Sequence, residues 1–371
     1  MRWGIFSLSQ IPDQKVVVDT MDDHFSQFLL AEELGYDSIW IAEHLFSTYG
    51  IVTSSQVLAA AIARVTRRVR IGTGVVVIPF NHPLRTAGDF SFVDVLSHGR
   101  LDFGVGRAYQ PHEFLGLGLK MEQSREMFNE GLDIILKAWT QEKVSYAGQF
   151  WKIPEPVEVL PKPVQQPHPP VWMACVSPDS FIVAAESGHH LQMATPFSYR
   201  IYREVWREKL AEQLAIYEAH CTKIGRDPKA AKRMMLVPLY CEADRARANS
   251  TFGAYVTWFY RKVSGHQLGA KKEELIVKGY ELAMAENIRS MKEGYLEFDK
   301  LSEFGAVCAS DPEGCAAFLI DLRNRLGIDE FVLWTSVGGL PNENCQASMR
   351  LVKERVIPLV EAAAVKATIA A

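Results

Sequence analysis

A strand-like run followed by a helix-like run recurs eight times along this chain. The β-prone runs fall at 2–8, 38–42, 69–77, 101–105, 171–174, 192–194, 234–240 and 330–335. Helical patterns, with apolar residues three and four apart, occupy 20–34, 54–66, 84–96, 124–139, a stretch from Pro178, 199–224, 243–260, 312–326 and 344–364. The run at 69–77 is almost continuously apolar, as expected of a strand covered on both faces in a parallel sheet. Strands alternating with helices imply such a sheet, and eight units predict an α/β fold closed into a single (β/α)8 TIM barrel spanning residues 1–371. A length of 371 residues would also permit two or three domains, but barrels commonly exceed the usual domain size as one unit.

Two stretches break the rhythm. Residues 144–153 read as a short hairpin turning at Ala147-Gly148, and 154–170 carries seven prolines, so it should run extended over the surface. Residues 261–304 are long, rich in Lys and Glu and poor in β-branched residues. They are expected to be surface helices or a mobile lid inserted in the barrel, of the kind that closes a site against water.

Composition excludes several functions. A net charge of -4 with both signs interspersed shows no basic stripe for nucleic acid. No apolar run is long enough for a membrane span, and the start MRWGIFSLSQ reads as a strand rather than a leader. The six cysteines form no CxxC pair and are expected to be reduced thiols of a cytoplasmic protein. No His and carboxylate cluster suggests a metal centre.

In a barrel, the carboxyl ends of the strands form the functional rim. Glu43 and His44 close the second strand and so point into it, and imidazole exchanges protons near neutral pH, which makes His44 the candidate catalytic residue. Gly104 and Gly106 let the backbone after the fourth strand approach a ligand, and the guanidinium of Arg107 follows at once, suited to bidentate phosphate binding. Ser177 and Pro178 read as the cap and first residue of a helix whose N-terminus, with Ser180, offers a second anion site. Phe6, Leu8, Phe114 and Trp258 fall at strand ends or in rim segments and are candidates for an apolar substrate pocket.

The strings LGYDSIWIAEH (34–44), HPLR followed by LSHGRLDFGVGR (82–107) and QPHPPVWMACVSPDS (166–180), together with the tail from Gly305, resemble the bacterial luciferase-like flavin monooxygenases, and within them the luciferase subunits. The resemblance covers nearly the whole chain and is weakest at 261–304. It implies an FMNH2-dependent monooxygenase that oxygenates an apolar organic substrate with dioxygen through a C4a-peroxyflavin. His44 would be catalytic, and FMN would contact Glu43, Gly74, Val75, Arg107, Ala108, Tyr109, Ala174, Val176, Ser177 and Ser180. It implies a non-proline cis peptide at Gly74–Val75, a separate NAD(P)H:flavin reductase as the source of reduced flavin, and a homodimer. Gly106, Leu45 and Val176 depart from the light-emitting subunit, which has cysteine, histidine and a carboxylate there, and so point to a dark relative. Two alternatives stay open: an F420-dependent oxidoreductase of the same fold, and a non-catalytic flavin-binding partner subunit.

Overall fold

In the computed structural model, which describes residues 1–12, 16–268 and 280–370, eight parallel strands close into a ring. They are β1 (Arg2–Ser7), β2 (Ser38–Ile41), β3 (Arg70–Thr73), β4 (Leu101–Gly106), β5 (Val171–Ala174), β6 (His190–Ala194), β7 (Arg233–Cys241) and β8 (Glu330–Trp334). Each strand pairs with its neighbours in sequence, and β8 returns to β1 with Ile5 beside Leu333. All eight lie where the sequence rhythm places strands. Their residues are almost entirely buried, as strands between a filled interior and a coat of helices must be.

The lower interior is filled by large rings opposite glycine. Trp40 meets Trp172 edge-on at 5.4 Å, and a side chain on Gly72 would overlap the Trp40 indole. Beneath them the buried carboxylates of Asp102 and Glu330 draw in Arg2 and Arg70. Arg70 reaches Asp102 at 2.7 Å, and Glu330 accepts from Ser38 (2.6 Å) and Trp40 (3.0 Å). This network seals the N-terminal end of the ring, where barrels carry stability rather than chemistry.

Several expected elements are corrected. The third strand is not continuous over 69–77. It stops at Thr73, and a two-residue strand, Val76–Val77, resumes beside β4. Between them the Gly74–Val75 bond is cis. The break is held by side chains: Thr73 Oγ1 donates to the Gly104 carbonyl and accepts from its N–H, both at 2.8 Å, and Gln192 Nε2 donates to the Thr73 carbonyl at 3.2 Å. The Thr73 carbonyl turns directly over Gly104, where only glycine fits.

The helix expected at 199–224 is two helices, Thr195–Tyr202 and Trp206–Lys223. Arg203 separates them at φ 53°, a positive φ that few non-glycine residues adopt. Its guanidinium is held by Glu286 and Glu293 at 2.9 Å each and lies over the Tyr295 ring at 4.8 Å. The hairpin is Val144–Ala147 with Lys152–Val157, its second strand running on through two prolines. A short helix, Pro111–Leu117, and a three-residue strand, Cys308–Ser310, had no counterpart in the sequence reading.

Of the 261–304 segment, residues 269–279 lie outside the described ones, and the remainder includes helices Glu281–Lys292 and Phe298–Glu303. Among the described residues all six cysteines are free and buried, and no helix is long and apolar enough to cross a membrane.

Candidate functional site

The carboxyl ends of the strands open into one cavity of about 470 Å³. Strain collects at its rim. Ser9, Phe46 and Ala108, in the loops after β1, β2 and β4, all take positive φ (50°, 58° and 66°), which non-glycine residues adopt only where surroundings enforce it.

His44 follows β2 and is packed rather than solvated. Its Nδ1 lies 2.9 Å from Glu113 Oε1, and the same oxygen accepts the Leu45 N–H at 2.9 Å. Glu113 comes from the helix after β4 and is itself buried, so the carboxylate clamps both the imidazole and the backbone beside it. Tyr49 meets the ring edge-on at 4.6 Å and Tyr109 at 5.9 Å, and their hydroxyls share a 2.6 Å hydrogen bond. Gln110 Nε2 lies 3.2 Å from the same Nδ1, but the closer carboxylate, which can only accept, favours the tautomer with the proton there, and Nε2 is then the nitrogen that can take or give a proton.

Glu43 also lines the cavity, but its carboxylate is spoken for. Oε1 accepts the Val77 N–H at 2.8 Å, and Oε2 accepts from the Ser55 hydroxyl and N–H. It ties the end of β2 to the break in β3 and to the helix Ser55–Val65. Burial pushes its acid up, against those hydrogen bonds and the neighbouring His44.

The other end of the cavity suits an anion. The helix Pro178–Ser187 starts there, and Ser180 Oγ accepts the N–H groups of Val176 (3.0 Å) and Ser177 (3.2 Å), which shapes the turn into it. Arg107 and Arg125 line the same end, with Arg125 3.4 Å from Asp179. The Arg107 guanidinium lies 4.2 Å from the centre of the Tyr280 ring; burial pulls its basicity down while the phenol opposes this. Tyr280 Oη donates to the Ala108 carbonyl at 2.9 Å and is 3.0 Å from Ser124 Oγ. The inserted segment therefore reaches the cavity through this residue.

Between the two ends lie Gly74, Val75, Gly106 and Ala174. A side chain on Gly106 would meet Val75 Cγ2 at 2.6 Å, so valine at 75 already fills the room a cysteine at 106 would need. Gln192, from β6, faces this stretch, and its Oε1 is a buried acceptor with no partner among the described residues. A ligand N–H here would satisfy it.

Of the residues singled out in the sequence, Phe6, Leu8, Glu43, His44, Gly74, Val75, Arg107, Ala108, Tyr109, Ala174, Val176, Ser177 and Ser180 all line this cavity. Phe114 and Trp258 do not. Phe114 packs edge-on against Phe80 at 4.9 Å in a small cluster with Met121 and Tyr280, behind residues that line the cavity. Trp258 lies on the outer side of its helix near Phe298, while the next two residues, Phe259 and Tyr260, face the cavity. Successive helical residues are turned by about 100°, so rim position alone does not say which of them faces in. Sequence reasoning also missed Tyr49, Glu113, Gln192, Phe197, Arg200, Tyr280 and Trp334. Their common signal is position within or just after a barrel strand, or in the inserted segment.

Among the described residues no cluster of His, Cys, Asp and Glu could hold a metal ion. The oxygenase component of a flavin-dependent trigonelline monooxygenase from Acinetobacter baylyi is 26% identical over 372 residues, 96% of this chain and 95% of that protein. The alkanal monooxygenase alpha chain of the Kryptophanaron alfredi symbiont is 32% identical over 191 residues, about half of each chain (51% and 52%). The crystal structure of the monooxygenase RslO1 from Streptomyces bottropensis superposes with a TM-score of 0.80 at 28% identity, over 96% of this chain and 99% of that one. The family model for luciferase-like monooxygenases matches residues 1–330, which takes in the first seven strands of the ring and the first residue of the eighth, and the chain therefore belongs to the luciferase-like monooxygenase family.

Proposed function

We propose that the protein is the oxygenase component of a two-component system, taking reduced FMN from a separate NAD(P)H:flavin reductase and using dioxygen to oxygenate an apolar organic substrate. The observation that carries this reading is one cavity with an anion-binding end and a clamped imidazole at the other. Arg107, Arg125 and the N-terminus of the helix Pro178–Ser187 suit a phosphate, and His44 with Glu113 suits proton transfer.

The residues between the ends fit FMN. Gly74, Val75, Gly106 and Ala174 offer a narrow, largely apolar slot for its ring system, Gln192 Oε1 an acceptor for a ring N–H, and Arg107 and the Ser177 to Ser180 turn a seat for its phosphate. Reduced FMN, when bound, supplies the electrons that activate dioxygen. The chain's own residues do the rest. Glu113 holds His44 so that Nε2 gives and takes the proton the reaction needs. Phe6, Leu8, Phe259 and Trp334 keep the reacting end dry. Tyr280 roofs the phosphate end.

The same reading places the protein in the cytoplasm, in keeping with six free thiols. It also makes the protein a homodimer. Val57 and Val65 on the helix Ser55–Val65 and Phe92 on the helix Pro83–Leu96 expose apolar side chains, Val57 at 68% and Phe92 at 53%, where a second copy would cover them. Light scattering is expected to give twice the chain mass, and a monomer at micromolar concentration contradicts the dimer. The functional reading itself is tested by which reduced cofactor the protein holds.

A further inference from the structure

The cavity wall that carries His44 is a chain of rings, each in contact with the next. Trp334, at the end of β8, meets Phe259 edge-on at 4.8 Å, and Phe259 stacks on Tyr49 at 5.3 Å. Tyr49 meets His44 at 4.6 Å, and beyond His44 come Tyr109 and then Phe197, whose rings are 5.2 Å apart. Every one of these residues lines the cavity. Rings that brace one another present faces and edges at fixed angles. A flat ligand ring can lie on such a wall without freezing bonds of its own, whereas a flexible chain must give up its rotations to do so.

The wall also has one proton to give. The hydroxyls of Tyr49 and Tyr109 share a single hydrogen bond of 2.6 Å, and among the described residues neither has a further hydrogen-bond partner. Burial raises both phenols, Tyr49 to about 12 and Tyr109 well above the usual phenol range, so at neutral pH each keeps its proton. Two hydroxyls bring two protons, and the shared bond uses one of them. The other is a donor beside His44, with no acceptor among the described residues. A ligand oxygen that accepts it supplies the missing bond. A carbonyl oxygen accepts and brings no proton of its own. A phenol would bring a second proton and turn it to an acceptor such as His44 Nε2, the nitrogen that the proposed function keeps for proton transfer.

We infer that the substrate is an uncharged aryl carbonyl compound, its flat ring system lying against Tyr49, Phe259 and Trp334 and its carbonyl oxygen accepting the remaining O–H of the Tyr49 and Tyr109 pair. The inference names the substrate class of the oxygenase proposed above and rests on that reading for what becomes of the bound molecule. An alkyl ketone or aldehyde would use the donor without the rings. An arene without oxygen would use the rings and leave the donor unbonded.

The test is calorimetric titration of the full-length protein, with and without FMN, using 2-acetylnaphthalene, 2-ethylnaphthalene, 2-naphthol and 2-decanone as probes. The expected result is that 2-acetylnaphthalene binds about three-fold or more tighter than each of the other three, the range for one neutral hydrogen bond or for the ring contacts. The double substitution Tyr49→Phe and Tyr109→Phe keeps both rings and removes both hydroxyls. It is expected to weaken 2-acetylnaphthalene by about three-fold or more while 2-ethylnaphthalene stays within about two-fold. Equal or tighter binding of the ethyl compound, the naphthol or the decanone, or no saturable binding of 2-acetylnaphthalene, overturns the inference. So does a double variant that loses both naphthalenes in step, since the hydroxyls would then serve only to hold the wall. The comparison among ligands is made on the unaltered protein and stands whatever the variant's stability. FMN titration of that same protein reports the cofactor reading separately. Carbonyl selectivity without FMN binding sustains the substrate class and removes the flavin, and FMN binding without carbonyl selectivity keeps the flavin and overturns the class.

Discussion

Replacing His44 with alanine is expected to cut product formation by about 10²–10⁴-fold while dioxygen consumption continues and hydrogen peroxide appears in place of product. Dioxygen can react with a reduced flavin without a base, but productive transfer of oxygen needs a proton delivered at a defined position. The structure supplies that position by clamping Nδ1 on Glu113 at 2.9 Å and leaving Nε2 as the working nitrogen. Glu113→Gln is the companion test. An amide N–H facing Nδ1 favours the opposite tautomer, so the rate should fall and its pH profile should shift while flavin affinity is kept. His44→Ala also leaves a buried carboxylate with only the Leu45 N–H, which costs about 1–3 kcal/mol of stability. Melting temperature, flavin affinity and product yield are therefore measured on one preparation. A variant that melts lower but forms product at the normal rate per folded molecule would make His44 structural.

Arg107→Ala is expected to weaken FMN binding by about 10–100-fold, the range for losing a charge-assisted hydrogen bond to a phosphate. Riboflavin, which lacks the phosphate, provides the control: its affinity should be nearly the same for both proteins. The control matters because Arg107 also packs on Tyr280, with the guanidinium 4.2 Å from the ring centre. Removing it disturbs the roof over this end of the cavity as well as the charge. Equal losses for FMN and riboflavin would assign Arg107 to holding Tyr280 in place and take the phosphate away from it.

The barrel was legible in the sequence because its eight strands are buried on both faces. Such strands read as short, nearly continuous apolar runs, and each is separated from the next by a helical stretch. The residues at strand ends followed from that rhythm, which is why His44, Arg107 and Ser177 could be named before their partners. Features that depend on angle or on distant pairing were not legible. Glu113 stands 69 residues from His44, and nothing local marks it as the imidazole's partner. Trp258 was chosen where Phe259 and Tyr260 face the cavity, an error of one helical step. The break at Arg203 lies within a stretch that carries no glycine or proline, and the residue's partners there are two carboxylates distant in sequence. Nothing in the sequence singles out Arg200, which the fold sets on the cavity wall.

The central claim, that this barrel is built to hold reduced FMN for reaction with dioxygen, is tested most directly by anaerobic titration with reduced FMN, reduced FAD and reduced F420, each paired with its oxidised form, followed by admission of air. The account predicts that reduced FMN binds in a one-to-one ratio, more tightly than oxidised FMN and more tightly than FAD or F420, and that dioxygen reoxidises it on the protein. Preferential binding of F420, or reduced FMN that does not bind, would contradict it.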